Sequence, residues 1–451
     1  MIIIWLIFLG LEFCFGLKKT IYACQFLIIS RILIPETVRL TPIADISLNT
    51  AVISILILLV LKDLLIGKVQ FKQFRNSYIK DIFLYILAFT IIFVFATKSD
   101  THYQLNRLIQ FCITDFMPVM VFVLEIKNIW QLDLTLKVFL ICSCITCIYG
   151  IFTLLLGNNP YVDFINSYYG WRDSDFTDLM QEGLDQSRGI YTTSGTFTHA
   201  NGWGYFLPIA FVVIFFYNSI RQSKMAILTL ILLAISIVIC GKRTAISSFA
   251  GFWALYFLLG KWKNKVKLGV IFIAAFLFVA LILNSFPELN QVKKLVDSSL
   301  FFWNDNLADK NGIGGSNWQM RINQMTYCFV LVKDNLLFGN GFGWTAYYLS
   351  NFGPHPILMG FENIISDAVS NGGVCGLLLW ILIFYSSYKY SSKNDKKKLF
   401  YLLFTFTQVL IALGSGLSYF IFYGIGIVLL NRFYLLEKDD KSINRNCNIQ
   451  L

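Results

Sequence analysis

Residues 225–260 read MAILTLILLAISIVIC-GKRT-AISSFAGFWALYFLLG, and this stretch decides the fold class. Two apolar blocks flank a short polar turn. Neither block shows the alternation of polar and apolar residues that is typical of a strand in an outer-membrane barrel. Each block approaches the length of about 20 apolar residues with which an α-helix crosses a bilayer. The pattern therefore predicts two consecutive membrane-spanning helices joined by a tight turn.

The composition of the whole chain extends this prediction. Of the 451 residues, 57% are apolar or aromatic and only 14% are charged. A water-soluble domain carries about 25% charged residues, so most of this surface must face something other than water. The formal net charge of +11 therefore does not indicate a soluble nucleic-acid-binding protein.

Thirteen apolar blocks recur along the chain, and the first two are short enough to form either two thin spans or one interrupted span. The blocks lie near residues 1–17, 20–35, 49–66, 81–97, 105–125, 133–156, 202–219, 225–241, 244–260, 267–285, 364–387, 399–416 and 418–434. The predicted fold class is all-α: a polytopic integral membrane protein with about 12–13 transmembrane helices, forming a single membrane domain over residues 1–451.

The basic residues orient the predicted spans. Strict alternation places most of the 37 lysines and arginines in short segments on one side, which the positive-inside rule makes cytoplasmic. The polar tail at 437–451 is then cytoplasmic and is predicted to be disordered. Two large loops, 157–201 and 286–363, lie on the extracytoplasmic side, and the second is predicted to contain interfacial helices. Only these two loops are large enough to build a site.

No metal or cofactor is predicted. Cys142, Cys144 and Cys147 fall inside an apolar block, where small polarisable side chains pack. Asp173 and Asp175 form a D-x-D pair, which we interpret as part of a solvated acidic loop. The cysteines show no paired framework of disulfides.

The first sequence motif with chemical potential is SRGI at 187–190, followed by GTFTHAN at 195–201. Arg188 lies beside small and polar residues just before a predicted helix. It could present a guanidinium fork, together with backbone N–H groups, to a phosphate. The alternative is an ordinary surface arginine.

The second motif is GKRT at 241–244, which alternation places on the extracytoplasmic side. Lys242 and Arg243 are adjacent cations where the positive-inside rule expects few. An anionic ligand explains them, and harmless snorkelling of both side chains is the alternative.

The third motif begins with Arg321 in an amphipathic stretch and continues to FGNGFG at 338–343. No strand precedes these glycines and no GK[ST] follows them, so a nucleotide-binding loop is not indicated. We predict instead a turn after an interfacial helix.

The fourth motif is Glu362-Asn363, where the chain returns to the membrane. Partial desolvation there would make the Glu362 carboxylate a stronger base. The alternative is that Glu362 pairs with Arg321 and holds the loop closed.

Taken in order, these motifs resemble the O-antigen polymerase and O-antigen ligase superfamily, which are bacterial multi-pass glycosyltransferases. The resemblance covers roughly residues 130–435. It implies that outward-facing cations hold the diphosphate of an undecaprenyl-linked glycan and that a residue of the last large loop activates the acceptor hydroxyl. The implied diphosphate ligands are Arg188, Lys242, Arg243 and Arg321. The implied catalytic residues are Glu362 and Arg321, with His199, Asn201 and Asn363 as supporting residues.

The function expected from this resemblance is a metal-independent, inverting polysaccharide polymerase in the bacterial cytoplasmic membrane. Its implied partners are an undecaprenyl-diphosphate-linked oligosaccharide, the lipid bilayer, a chain-length regulator and a flippase, and no nucleic acid. Ligases of the superfamily commonly have His followed by Asn where this chain has Glu362 and Asn363, which favours a polymerase over a ligase. A transporter or flippase of lipid-linked glycans is the rival from another class. The sequence shows neither the broken helices nor the pseudo-repeats expected of a flippase.

Overall fold

The computed structural model describes residues 2–40, 46–69, 76–96, 100–169, 184–185, 190–191, 193–259, 285, 293, 318–392, 398–416 and 420–449. The first half contains α1 (Ile2–Lys18), α2 (Thr20–Leu33), α3 (Leu48–Leu65), α4 (Ser77–Phe95), α5 (Thr101–Phe111), α6 (Met117–Glu125), α7 (Ile129–Leu156) and α8 (Pro160–Tyr169). A two-residue antiparallel pair, β1 (Leu184–Asp185) and β2 (Ile190–Tyr191), follows. The second half contains α9 (Ala200–Arg221), α10 (Lys224–Ile239), α11 (Arg243–Leu259), α12 (Trp318–Leu331), α13 (Trp344–Phe352), α14 (Ile364–Ser391), α15 (Lys398–Ser415) and α16 (Phe420–Ile449).

The helices confirm the predicted fold class. Twelve of the thirteen apolar blocks fall on helices, and the block at 267–285 lies outside the described residues except at its last position. The two short N-terminal blocks form separate helices, α1 and α2. Within the described residues, six helical stretches are long and apolar enough to cross a membrane. They are Leu48–Leu65, Tyr78–Phe95, Thr101–Glu125, Ile129–Leu156, Ala200–Arg221 and Ile364–Ser391.

Polar side chains at the block boundaries explain where several helices begin. The Ser47 hydroxyl accepts a hydrogen bond from Thr50 N at 3.1 Å and starts α3. Asn128 and Gln131 form a capping box at the start of α7. Such side chains satisfy backbone N–H groups that have no partner within the helix.

The connections predicted to be extracytoplasmic contact one another at one end of the bundle, which we call the outer end. Glu36 N donates to Thr198 Oγ1 at 3.0 Å, which joins the connection after α2 to the segment before α9. Asn335 Nδ2 donates to Phe95 O at 3.2 Å, which joins the connection after α12 to the end of α4. Thr244 and Ser415 hydroxyls lie 2.7 Å apart. Alternating spans require this clustering of loops.

The opposite end of the bundle, which we call the inner end, is closed by hydrogen bonds between neighbouring helices. Tyr78 Oη and Ser387 Oγ lie 3.0 Å apart and join α4 to α14. Asn431 Nδ2 donates to Tyr390 O at 2.6 Å and joins α16 to α14.

Helix α14 is interrupted at Gly373, whose backbone has φ 59° and ψ −152°. The glycine loop, residues 336–343, lies against this interruption and supplies partners for the freed backbone groups. The four backbone hydrogen bonds are Val374 N to Leu336 O, Cys375 N to Leu337 O, Asn340 N to Ser370 O and Gly341 N to Asn371 O, all between 2.8 and 3.1 Å. A Cβ atom at Gly373 would lie 2.4 Å from Leu336 O, so only glycine fits.

This interruption corrects one expectation, because the sequence analysis predicted no broken helix. The signal was the run of Gly372, Gly373 and Gly376, but a glycine run does not show which segment will bind the freed backbone. The expectation of a turn after α12 is confirmed by the glycine loop.

Helix α16 continues to Ile449, and the disorder expected for the tail stays a prediction. A helix that is already nucleated in the membrane extends at one backbone hydrogen bond per residue, without a new nucleation cost.

Candidate functional site

Arg321 and Glu362 form an ion pair at the outer end. Arg321 lies on α12, and its Nη2 atom is 2.7 Å from Glu362 Oε2. Its Nη1 atom donates to the buried Gln324 Oε1 at 3.4 Å. The Glu362 side chain is 53% exposed and that of Arg321 is 19% exposed. The pairing considered as an alternative is therefore present, and the desolvation expected for Glu362 is not.

The backbone beside Glu362 is held in a demanding conformation. Met359 and Phe361 have φ of 51° and 54°, which is the left-handed region that side chains with a Cβ rarely adopt. Phe361 is buried, with its ring 5.8 Å from that of Trp344 on α13. Strain of this kind persists where surrounding packing enforces it, and it is often found at functional sites.

Asn363 has a structural role on the other side of Glu362. Its side chain is fully buried and accepts a hydrogen bond from Ser366 N at 2.8 Å, which caps α14. Glu362 is thus fixed between a buried aromatic residue and a buried helix cap, which leaves only its own side chain to rotate.

His355 orders the same turn. Its Nδ1 atom accepts hydrogen bonds from Ile357 N at 3.1 Å and Leu358 N at 3.0 Å. Burial lowers the pKa of His355 from its ordinary value. The neutral imidazole is the form that can accept these bonds.

Lys242 and Arg243 lie in the tight turn between α10 and α11, as the sequence indicated. Burial, with a smaller contribution from the nearby charge of Lys242, lowers the pKa of His199 to about 4. Arg243 begins α11, one residue before Thr244, which contacts Ser415. The turn therefore brings Lys242 and Arg243 to the outer end, with Lys242 near His199.

Arg188 lies outside the described residues, so its predicted place beside the other cations stays a prediction. Asn201 is exposed at the start of α9 and lines a cavity with His199.

The described residues enclose two adjoining cavities at the outer end. The first, which we call the amphipathic cavity, has a volume of about 660 Å³. Its apolar lining includes Phe111, Phe342 and Trp380, and its polar lining includes Arg107 and Glu362. It therefore combines an aromatic wall with a charged rim.

The second cavity, which we call the polar cavity, has a volume of about 520 Å³. The two cavities share four lining residues, namely Gln110, Thr114, Asp115 and Tyr205. Tyr205 also donates a hydrogen bond to Ser415 O at 3.4 Å. A ligand in one cavity is therefore next to a ligand in the other.

Several lining residues were missed by the sequence analysis. These are ionisable residues that lie within or beside apolar blocks, namely Arg31, Asp115 and Asp367. One of them is held by a neighbour, since Thr345 Oγ1 donates a hydrogen bond to Asp367 Oδ1 at 2.8 Å. Ionisable residues inside membrane segments are costly and often functional, and this signal could have identified them.

Within the described part of the chain, no group of three or more His, Cys, Asp or Glu side chains is arranged to hold a metal ion. Cys142, Cys144 and Cys147, which were expected to pack inside an apolar block, are buried in α7.

Comparison with known proteins supports the resemblance. A search of curated proteins found no match to the chain. The O-antigen ligase family model, in contrast, matches residues 227–381, from α10 into α14. The matched segment contains Lys242, Arg243, Arg321 and Glu362. This segment is therefore similar to the O-antigen ligase family, which supports the resemblance to the superfamily of O-antigen ligases and polymerases, glycosyltransferase-like enzymes of polysaccharide biosynthesis in bacterial membranes.

Proposed function

We propose that this protein is a polysaccharide polymerase that transfers a growing glycan from undecaprenyl diphosphate to the nonreducing end of an incoming lipid-linked repeat unit. The observation that carries the proposal is the Arg321–Glu362 ion pair beside the amphipathic cavity. A guanidinium and a carboxylate in contact supply the two functions that this transfer needs, anion stabilisation and proton acceptance.

The amphipathic cavity suits a lipid-linked diphosphate. Its aromatic wall can contact prenyl groups, while Arg107 and the adjacent Arg321–Glu362 pair are near enough to its rim to meet a charged headgroup. Binding sites for small molecules commonly combine an apolar lining with a few placed polar groups.

In the proposed reaction, the acceptor hydroxyl oxygen attacks the anomeric carbon of the donor glycan. The bond from that carbon to the diphosphate oxygen breaks, and its electron pair leaves with the diphosphate. Glu362 accepts the hydroxyl proton, and Arg321, Arg243 and Lys242 neutralise the charge that grows on the leaving group. Direct displacement inverts the anomeric configuration. Because cationic side chains supply the charge stabilisation, the proposed reaction is independent of metal.

The ion pair also links substrate binding to base activation. A diphosphate that binds Arg321 competes with Glu362 for the same guanidinium N–H groups. Once the guanidinium turns to phosphate oxygens, the Glu362 carboxylate is free to accept a proton. In this proposal the base becomes available only when the donor is bound.

A ligase is the second candidate, because the matching family model is described as O-antigen ligase. A ligase carries out the same reaction at the donor. It differs in its acceptor, because it transfers the finished glycan to lipid A core or to another acceptor. The interrupted helix α14 is a feature that transporters also have. The ion pair and the family match favour an enzyme.

The test supplies purified protein with its own lipid-linked repeat unit, without ATP or an ion gradient and with a chelator in a parallel reaction. A polymerase forms a ladder of products on a gel, whereas a ligase forms one shifted product only when core acceptor is added. The absence of any glycosidic product in wild-type protein would contradict both enzyme proposals.

We also propose that the outer end faces away from the cytoplasm, because the basic residues partition to the inner side. Cysteines placed at Ser187 and Asn311, in a chain without its native cysteines, should react with a membrane-impermeant reagent in intact spheroplasts. Protection of both positions would reverse the proposed orientation.

A further inference from the structure

We propose that the polar cavity is a saccharide-binding subsite, which holds sugar units of the lipid-linked substrate next to the reacting groups. This inference rests on the proposed function and adds to it a place where the glycan, as distinct from the lipid diphosphate, is recognised.

The lining of the polar cavity differs from that of the amphipathic cavity. Hydroxyl and amide side chains dominate it, including Ser47, Thr50, Thr114 and Asn201, and Ile421 is its one large aliphatic residue among those described. A saccharide presents many hydroxyl groups, each of which both donates and accepts hydrogen bonds. A wall of mixed donors and acceptors matches that chemistry.

Two buried polar atoms on this wall have no partner among the described residues. The Arg31 side chain is 10% exposed, and its Nε–H group has no hydrogen-bond acceptor. Asn49 is 6% exposed, and its Oδ1 atom has no hydrogen-bond donor. Leaving a buried polar atom without a hydrogen-bond partner destabilises the folded protein. A ligand that satisfies both atoms must bring both an acceptor and a donor, as neighbouring sugar hydroxyls do and a phosphate anion does not.

The charge of the polar cavity agrees with a neutral ligand. Two arginines line it, Arg31 and Arg39, and two carboxylates oppose them, Glu36 and Asp115. Arg31 Nη1 lies 3.4 Å from Glu36 Oε1. Because the pKa of His199 is lowered to about 4, this histidine adds no charge near pH 7. The lining therefore carries formal charges of both signs, two positive and two negative, and not the excess of cations that would select a diphosphate.

The polar cavity lies beside the amphipathic cavity. Asp115 and Tyr205 line both, so the polar cavity is adjacent to the cavity that Glu362 lines. A volume of about 520 Å³ lies within the range of about 300–1,000 Å³ that is usual for small-molecule sites. Sugar units held there would lie next to the sugar at the reacting position.

The test separates sugar binding from lipid-diphosphate binding. The purified full chain is titrated with the repeat-unit oligosaccharide released from its lipid carrier, and separately with farnesyl diphosphate, which has no sugar. Saturation-transfer NMR reports the first and isothermal titration calorimetry the second. The variants are Arg31→Met, which keeps the apolar stem, and Asn49→Leu, which keeps the approximate shape. Arg221→Met, at the inner end, is the matched control, and Arg321→Ala tests the diphosphate site.

We expect Arg31→Met and Asn49→Leu each to weaken oligosaccharide binding by about 10-fold, since each removes one hydrogen bond to the ligand. Farnesyl diphosphate should bind these two variants as it binds wild-type protein, which also shows that they are folded. No saccharide binding to wild-type protein, or equal binding by both variants, would overturn the subsite even if Arg321→Ala loses farnesyl diphosphate. A third outcome would separate the two proposals. If the two variants lose saccharide binding while Arg321→Ala still binds farnesyl diphosphate normally, the subsite is supported and the proposed diphosphate site is contradicted.

Discussion

The outer and inner ends of the bundle use polar residues in different ways. At the outer end, Phe361 has a strained backbone and the Glu362 carboxylate is more than half exposed. At the inner end, the Tyr78 and Tyr390 rings stack with their centroids 4.4 Å apart, and the Tyr78 hydroxyl is paired. We therefore expect the inner end to stabilise the bundle, and the proposed function places the chemistry at the outer end. Substitutions at the two ends should therefore change different measurements.

The largest effect is expected for Glu362→Gln, which keeps the side-chain shape but removes the proton acceptor. Turnover should fall by about 10²-fold to 10⁴-fold, the usual contribution of a general base. Melting temperature should stay near the wild-type value, because the carboxylate is exposed, and lipid-linked substrate should bind at least as tightly, because the glutamine amide would compete less for the Arg321 guanidinium. Product ladders, thermal scans and a binding titration on one preparation measure all three.

If Glu362 only holds its loop closed, Glu362→Gln would lower melting temperature or substrate affinity together with turnover. Asp133→Asn, which removes the Lys137 ion pair at the inner end, is the matched control and should leave turnover unchanged.

Arg321→Ala should reduce chain formation by about 100-fold to 1,000-fold, which is typical when one donor to a developing anion is lost. Arg321→Lys should recover only part of the rate, since an ammonium group cannot bind two phosphate oxygens in a fixed fork. Wild-type rates in Arg321→Ala, at a confirmed protein level, would exclude this residue from the site. Arg243→Ala should act in the same direction.

A smaller effect at the outer end is a loss of stability in acid. The pKa of His199 is about 4 in the folded chain against 6.5 for the ordinary side chain, so the unfolded state binds more protons between these values. Stability should therefore fall as pH decreases from about 6.5 to about 4. His199→Gln should show a smaller fall in melting temperature across this window. His102→Gln, at an exposed histidine, is the control and should behave as wild type.

The smallest effect is expected at the inner end for Tyr78→Phe, which removes the hydrogen bond to Ser387. Hydrogen bonds between membrane helices contribute about 0.6 kcal/mol on average. The free energy of unfolding should fall by about this amount while polymerisation stays at the wild-type rate. A large loss of activity here would contradict the division between the two ends.

The parts of the fold that depend on local sequence could be predicted. Apolar length identified the spans, and the polar residues at their boundaries, such as Asn363, marked where helices begin. The Arg321–Glu362 contact was foreseen only as an alternative, because two residues 41 positions apart can be paired from their chemistry but not from their spacing.

The two cavities could not be predicted, because they depend on contacts between distant segments. Arg31 and Asp115 lie in different apolar blocks, and nothing in either block shows that they line one space. The interruption at Gly373 was missed for the same reason, since the glycine loop that binds it lies at least 30 residues earlier in the chain.

The attachment of the glycine loop to α14 also sets the timescale on which the ion pair can open. The loop follows α12, which carries Arg321, while α14 follows directly after Glu362, so the four backbone hydrogen bonds at Gly373 tie both segments together. Exchange of the Glu362 carboxylate for a phosphate at Arg321 then needs only rotation of two side chains. Rotation of an exposed side chain such as that of Glu362 takes picoseconds to nanoseconds, far faster than collective movements of helices. Opening of this pair should therefore never limit the rate of sugar transfer.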